Sequence, residues 1–292
     1  MQASLHATLN TSYPDMKIIA DSSSTRTEWV LADGDQIVEH VFTEGLNPYF
    51  QTRKEISHSI RLNLPDTFFK RRWEHIYFYG AGCANTDRIK IMEASLVAQF
   101  RTPVTVMSDL LGAARGLFID KPGLPCILGT GSNSCIYDGT EIVDNVKSLG
   151  FILGDEGSGA YIGKAFFGDC LKGLAPSHIR DRFFEESGLT PEEVMDHVYS
   201  DPFPNRWLSQ QSARLATMLD DPYVYQLVYA SLMKFFTRNV LGYRKNDYAV
   251  SFVGSVACLY EEIVRKIANS YGIRIEQIVK SSMPGLVKYH NL

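Results

Sequence analysis

Gly129, Thr130, Gly131, Ser132 and Asn133 make a polar turn between an apolar run, Cys126 to Leu128, and an alternating run, Ser134 to Tyr137. Glycine lets backbone N–H groups come close to a ligand and adopt positive φ. The hydroxyls add donors without bulk, so such a turn can cradle a phosphate; an ordinary hairpin uses the same residue types. A second polar turn, Asp21, Ser22, Ser23, Ser24, Thr25, Arg26 and Thr27, follows the first apolar strand. Asp21 at that strand's end can hold Mg²⁺ through water or close an Asx turn. Asp109 stands between a strand and a helix, at the edge where open α/β sheets bind ligands; either it or Ser108 can cap the helix. The segment Gly154, Asp155, Glu156, Gly157, Ser158 and Gly159 sets two acids among glycines before a helix. A carboxylate there can accept bonds from substrate hydroxyls, and the freedom of the glycines marks a functional loop. Gly254 and Ser255, a strand-to-helix turn, admit an adenine or ribose against backbone, or serve only close packing.

The elements that position these residues are readable in order. Lys17 to Ala20, Glu28 to Ala32 and Gln36 to Thr43 alternate as three antiparallel strands, with Asp33, Gly34 and Asp35 as a turn. Asn47 before Pro48 must be extended. A helix is predicted over Thr52 to Leu62, a strand over Trp73 to Tyr79, and a helix capped by Asn85 or Thr86 with Ile89, Met92, Leu96 and Phe100 on one face. The strand Val104 to Met107 leads to Asp109. Beyond the central turn come a strand over Glu141 to Lys147 and a helix from about Ala160. Residues 177–243 are mostly helical, with starts at Thr190 and Asp221. Ala249 to Val253 is a strand, Val256 to Tyr271 one amphipathic helix, Ile273 to Val279 a final strand, and a short helix follows Pro284. Alternating strands and helices argue for parallel α/β layers.

Composition narrows the classes. The 292 residues are 45% hydrophobic and 21% charged with a net charge of −4, which supports a sizeable core and excludes global disorder. The only basic run is Lys70, Arg71 and Arg72, so a nucleic-acid partner is not expected. No 18-residue apolar run suggests a membrane span. Residues 1–15 read as a disordered leader, with Met16 as an alternative start. Cysteines 83, 126, 135, 170 and 258 are scattered without a Cys-x-x-Cys pair, which suits reduced thiols in a cytoplasmic protein.

The chain contains a quasi-repeat: strand, polar turn, strand at 21–27, and again at 129–132. Two similar domains, each offering a polar hairpin to a shared cleft, would clamp a polyphosphate. A kinase needs such a clamp, because its chemistry rests on positioning and charge neutralisation. It also needs a carboxylate near the acceptor hydroxyl, for which Asp109 is the candidate.

On Ala20 to Thr27, Ser108 with Asp109, Gly129 to Asn133, Gly154 to Gly159, and Val253 to Val256, the chain resembles the N-acetylglucosamine kinase-like (BadF/BadG/BcrA/BcrD ATPase) family of the actin, Hsp70 and sugar kinase superfamily. The match runs from Met16 to the C-terminus. The resemblance implies two ribonuclease-H-like (actin-like ATPase) domains, about 16–115 and 116–292, the second with a helical insertion over about 170–243. ATP and Mg²⁺ would lie in the cleft between them. It implies phosphorylation of the 6-hydroxyl of an amino sugar, N-acetylglucosamine foremost, with Asp109 as the base and Asp21 facing Mg²⁺ through water. Ser22, Ser23, Ser24, Thr25, Arg26, Thr27, Gly129, Thr130 and Gly131 match the phosphate turns, and Gly254 and Ser255 the adenosine site. Asn47, Thr130, Asn133 and Asp155 match sugar contacts. Family members are often dimers, so a homodimer is implied as well.

The first turn departs from the family pattern, which usually carries glycines and a lysine where this chain has three serines and Arg26. If Ser22, Ser23 or Ser24 needed positive φ, each would cost about 1–2 kcal/mol. Two alternatives therefore stand beside the kinase. One is a non-catalytic sugar or nucleotide sensor. The other is an activator-type ATPase whose iron–sulfur cluster bridges two subunits, for which Cys126 and Cys135 flank the central hairpin.

Overall fold

The computed structural model describes residues 16–243 and 248–292; the leader expected over residues 1–15 lies outside them. The first half runs β1 (Met16–Ser22), β2 (Arg26–Asp33), β3 (Gln36–Glu44), α1 (Arg53–Asn63), β4 (Ile76–Gly80), α2 (Thr86–Phe100), β5 (Val104–Ser108) and α3 (Asp109–Phe118). Its sheet has the order β3-β2-β1-β4-β5; the β1–β2 and β2–β3 pairs are antiparallel, and β4 lies parallel to β1 and β5. Ile18, Ile19 and Ala20 of β1 are fully buried, as befits a central strand covered on both faces. On one face Trp29 and Phe78 pack with Ile56 and Ile60 of α1 and Met92 and Leu96 of α2. Thr52 opens α1 with a capping box to Glu55, and Asn85 caps α2 by accepting from the Arg88 amide.

The second half runs β6 (Leu124–Leu128), β7 (Ser132–Ser134), β8 (Ile136–Tyr137), β9 (Ile142–Asp144), α4 (Gly150–Leu153), α5 (Gly159–Leu171), α6 (Ser177–Ser187), α7 (Pro191–Tyr199), α8 (Pro204–Leu215), α9 (Pro222–Phe235), β10 (Val250–Val253), α10 (Ser255–Leu259), α11 (Glu261–Ser270), β11 (Ile275–Val279) and α12 (Met283–Tyr289). Its main sheet, β11-β10-β6-β7, repeats the first with one strand fewer. The expected third strand shrinks to β9, which pairs with β8 in a separate ribbon. The backbone groups that a longer ladder would use are taken by side chains: Asn145 Nδ2 donates to the Ser134 and Val146 carbonyls, and Val146 N donates to the Tyr243 hydroxyl. The expected single helix over 256–271 breaks at Tyr260, whose buried ring sends its hydroxyl to the Ser212 carbonyl. Thr190 and Asp221 cap α7 and α9 as their sequences require, and α9 ends in a π-helical turn, Phe236–Val240.

Two helices pass between the sheets. Ala113, Ala114 and Leu117 of α3 pack with Val253 and Tyr137 of the second half. Met283, Leu286 and Val287 of α12 return to the first sheet and bury Ile19, Val30 and Tyr79. Where the helices cross, a side chain on Gly285 would run into the Gly116 carbonyl. The division expected at residues 115 and 116 therefore falls inside α3, and the last helix of the chain lies on the first sheet. Among the described residues no helix is long and apolar enough to cross a membrane.

Candidate active site

The two polar turns meet across the cleft: Thr25 Oγ1 lies 2.6 Å from Thr130 Oγ1. In the first turn the Ser23 hydroxyl accepts from the amides of Thr25 and Arg26, each at 3.3 Å, and donates to the Arg26 carbonyl at 3.1 Å. That side-chain closure replaces the glycine conformation. None of Ser22, Ser23 or Ser24 has positive φ, so the strain allowed for in the sequence does not arise. Two of the expected phosphate residues lie beneath the turn. Ser22 and Thr27 are fully buried; their hydroxyls lie 2.7 Å apart, Ser22 Oγ accepts from Leu46 N, and Thr27 Oγ1 donates to the Glu44 carbonyl. They close the base of the hairpin, which leaves Ser23, Ser24, Thr25 and Arg26 at the tip. Arg26 stacks its guanidinium on Phe42 at 4.5 Å from the ring centre.

The second turn is fastened to the start of α5, where the Gly159 amide donates to Gly129 O at 2.8 Å and the Ala160 amide to Thr130 O at 3.3 Å. Gly254 has φ +128°, and a Cβ there would strike the Leu128 carbonyl and crowd the Gly129 amide. The expected adenosine turn thus adjoins the second polar turn, with Ser255 exposed beside it.

The acids converge on the same place. Ser108 is the cap of α3, accepting from Leu111 N at 3.2 Å, while Asp109 Oδ1 accepts from Leu110 N at 2.9 Å. This settles the capping alternative, and among the described residues no side chain bonds Asp109 Oδ2. Asp155 has φ +54°, and its Oδ1 accepts from the Ser132 amide at 3.3 Å. Asp21 Oδ2 accepts a short hydrogen bond from Ser282. Loss of water raises Asp109 and Asp155 to about 6, and Asp21 to about 7 with further repulsion from Asp109 and Glu28. Asp155 is likewise raised by Asp109, so the three titrate as a group. A base must be ionised to accept a proton. If Asp109 is the base that the sequence suggests, kcat/KM is expected to fall as pH drops from about 7 through about 6, more steeply than one proton allows, which a pH profile will show.

The glycines of 154–159 are not a source of freedom. All six residues are buried. A side chain on Gly154 would meet Ser148 O, one on Gly157 would meet Phe235, and one on Gly159 would meet Ser209. The loop is close-packed, and Glu156 beside Asp155 pairs with Arg238 on the π turn at 2.8 Å. Of the expected sugar residues, Asn47 commits its Oδ1 to Tyr49 N at 2.9 Å and Asn133 its Oδ1 to Ser134 N at 3.0 Å. Among the described residues neither NH₂ has a partner, so each amide offers donors where Asp155 offers acceptors. Cys126 and Cys135 are fully buried, their thiols pushed up by burial, and among the described residues no group of three or more His, Cys, Asp or Glu could hold a metal. Sequence reasoning missed Glu28, Ser281 and Ser282. Ser281 donates to Glu28 Oε2 at 2.7 Å as Ser282 does to Asp21. Their place just beyond β11, at the carboxyl edge of the second sheet, was the available clue.

No protein-family model matches the chain, and no curated protein matches it. Solved structures do. A protein of Porphyromonas gingivalis, provisionally assigned as an N-acetylglucosamine kinase, is 40% identical with a TM-score of 0.88, over 94% of this chain and 99% of that one. A second provisionally assigned N-acetylglucosamine kinase, from Chromobacterium violaceum, is 16% identical with a TM-score of 0.71, over 95% and 99% of the two chains, and shares the fold. So does a ROK family glucokinase from Streptomyces griseus, solved with glucose and AMPPNP, at 14% identity and a TM-score of 0.55 over 94% and 97%. With both polar turns and all three acids gathered in one cleft between two halves of like topology, and with 40% identity across nearly the whole length of the Porphyromonas protein, this chain belongs to that protein's family of sugar kinases.

Proposed function

We propose that the protein transfers the γ-phosphoryl group of ATP to the 6-hydroxyl of an amino sugar, N-acetylglucosamine foremost. The observation that carries this reading is the contact of Thr25 with Thr130, which brings the tips of two hairpins from opposite halves within a hydrogen bond, next to the Asp155 carboxylate that Asp109 repels. Adenosine would lie along Gly254 and Ser255, and the phosphates alongside the joined tips, Ser23 to Arg26 and Gly129 to Gly131. The donor set suits a hydrated Mg²⁺: Asp21 keeps Oδ1 free of protein partners among the described residues, negative charge from Glu28 and Asp109 surrounds it, and no third direct ligand is at hand. When bound, Mg²⁺ supplies charge neutralisation on the phosphates. The chain's own residues do the rest. The NH₂ groups of Asn47 and Asn133 donate to sugar oxygens, and Asp155 accepts from sugar hydroxyls. Asp109 takes the 6-hydroxyl proton as that oxygen bonds to the γ-phosphorus and the bond to ADP breaks.

The Porphyromonas and Chromobacterium assignments and the AMPPNP and glucose bound to the Streptomyces enzyme support this choice of ligands. The test is ADP release with ATP, Mg²⁺ and a panel of N-acetylglucosamine, glucosamine, N-acetylmuramic acid and glucose. N-acetylglucosamine is expected to stimulate release most. Failure of every hexosamine to stimulate it would overturn the reading.

A further inference from the structure

We infer that Ser282 is a positioning residue for Asp21, and that the nucleotide's metal is held through this serine from the far end of the chain. The inference rests on the reading of the cleft as a Mg–nucleotide site. Ser281 and Ser282 form the link between β11, in the second sheet, and α12, which lies on the first. Ser282 is 2% exposed. Its hydroxyl donates to Asp21 Oδ2, while Ser281 donates to Glu28 Oε2, which also receives His40 on its other oxygen at 2.9 Å. Two neighbouring serines thus sort two neighbouring carboxylates. Each Glu28 oxygen has a protein partner, whereas among the described residues Asp21 has one oxygen held by Ser282 and no protein partner on the other.

The serine itself has little room to shift. A side chain on Gly116 would run into Ser282 Cβ and its carbonyl, so α3 presses on it from behind. The bond therefore fixes the direction in which Asp21 Oδ1 points, and a carboxylate that binds a cation through water depends on that direction. The serine leaves nucleotide contacts that do not pass through the metal untouched.

Calorimetry with MgADP, and with ADP in the presence of EDTA, separates these. Ser282→Ala is expected to weaken MgADP by about 10- to 100-fold while leaving metal-free ADP unchanged. Ser282→Thr restores the hydroxyl and should recover MgADP affinity. Ser281→Ala removes a donor to Glu28 and an acceptor for the Met283 amide but no contact with Asp21 among the described residues, and should leave the preference for MgADP over ADP intact. In an Asp21→Asn background Ser282→Ala should add nothing, because the two act as one unit. Equal weakening of ADP with and without Mg²⁺, or a Ser282→Ala protein that binds MgADP as wild type does, would overturn the inference alone. A wild-type protein that binds no nucleotide would overturn the reading of the cleft as well.

Discussion

Asp109→Asn is expected to lower kcat by about 10²- to 10⁴-fold, the usual contribution of a positioned general base, while the sugar still binds. Asparagine keeps the size of the side chain and can still accept from Leu110 N, so α3 and its Ser108 cap are undisturbed. What it removes is the proton acceptor. It also removes a carboxylate that burial holds near 6, against about 3.9 in the unfolded chain. A raised acid costs stability once it ionises, and that cost grows as pH climbs through the folded value. The variant should therefore melt above the wild type at pH 8, and the difference should close as pH falls below about 6. Steady-state kinetics with a sugar-binding titration, and melting curves at two pH values, test both halves. A variant with near-normal kcat would remove Asp109 from the mechanism. A variant that is inactive yet melts lower at every pH would mark Asp109 as a structural residue.

Gly254→Ala should be the most damaging single methyl in the cleft. At φ +128° an L-residue is strained by about 1–3 kcal/mol. The added Cβ also strikes backbone, the Leu128 carbonyl, which has no rotamer by which to yield. Strand β10 must separate from β6 at the point where the second phosphate turn begins. The expected result is a loss of about 3 kcal/mol or more in denaturant unfolding, with at least a tenfold rise in the KM for ATP. Gly129→Ala is the contrast, since a side chain there meets nothing within 4 Å. If both glycines tolerate alanine equally, the close approach of the two turns is not what holds the nucleotide.

The fold was legible because its strands follow the simple period-two and buried patterns and its helices carry explicit caps. Thr52, Asn85, Thr190 and Asp221 each open a helix as their types demand. The polar turns and Asp109 were legible for the same local reasons. What escaped was set by residues distant in sequence. Asn145 and Tyr243 stop a strand that propensity would continue, and Tyr260 breaks a helix by reaching Ser212. Ser22 and Thr27 share a hydroxyl-rich turn with Ser23 and Thr25, and only the loop at Leu46 shows which pair is buried. The glycines of 154–159 looked permissive, and the neighbours that make two of them obligatory, Gly157 and Gly159, lie on α9 and α8, while Gly154 is held by the Ser148 carbonyl.

The return of α12 to the first sheet has a consequence for how the chain is made. Ile19, Val30 and Tyr79 emerge from the ribosome early, yet the side chains that bury them are Met283, Leu286 and Val287. Lys17 waits for the carbonyl of His290, 273 residues later. Vectorial synthesis cannot complete the first sheet as its own residues appear; one face of it stays open until α12 has been made. The protein therefore closes both halves together, at the cost of a nascent chain that carries an apolar sheet face while the intervening two hundred or so residues between Tyr79 and Met283 are made.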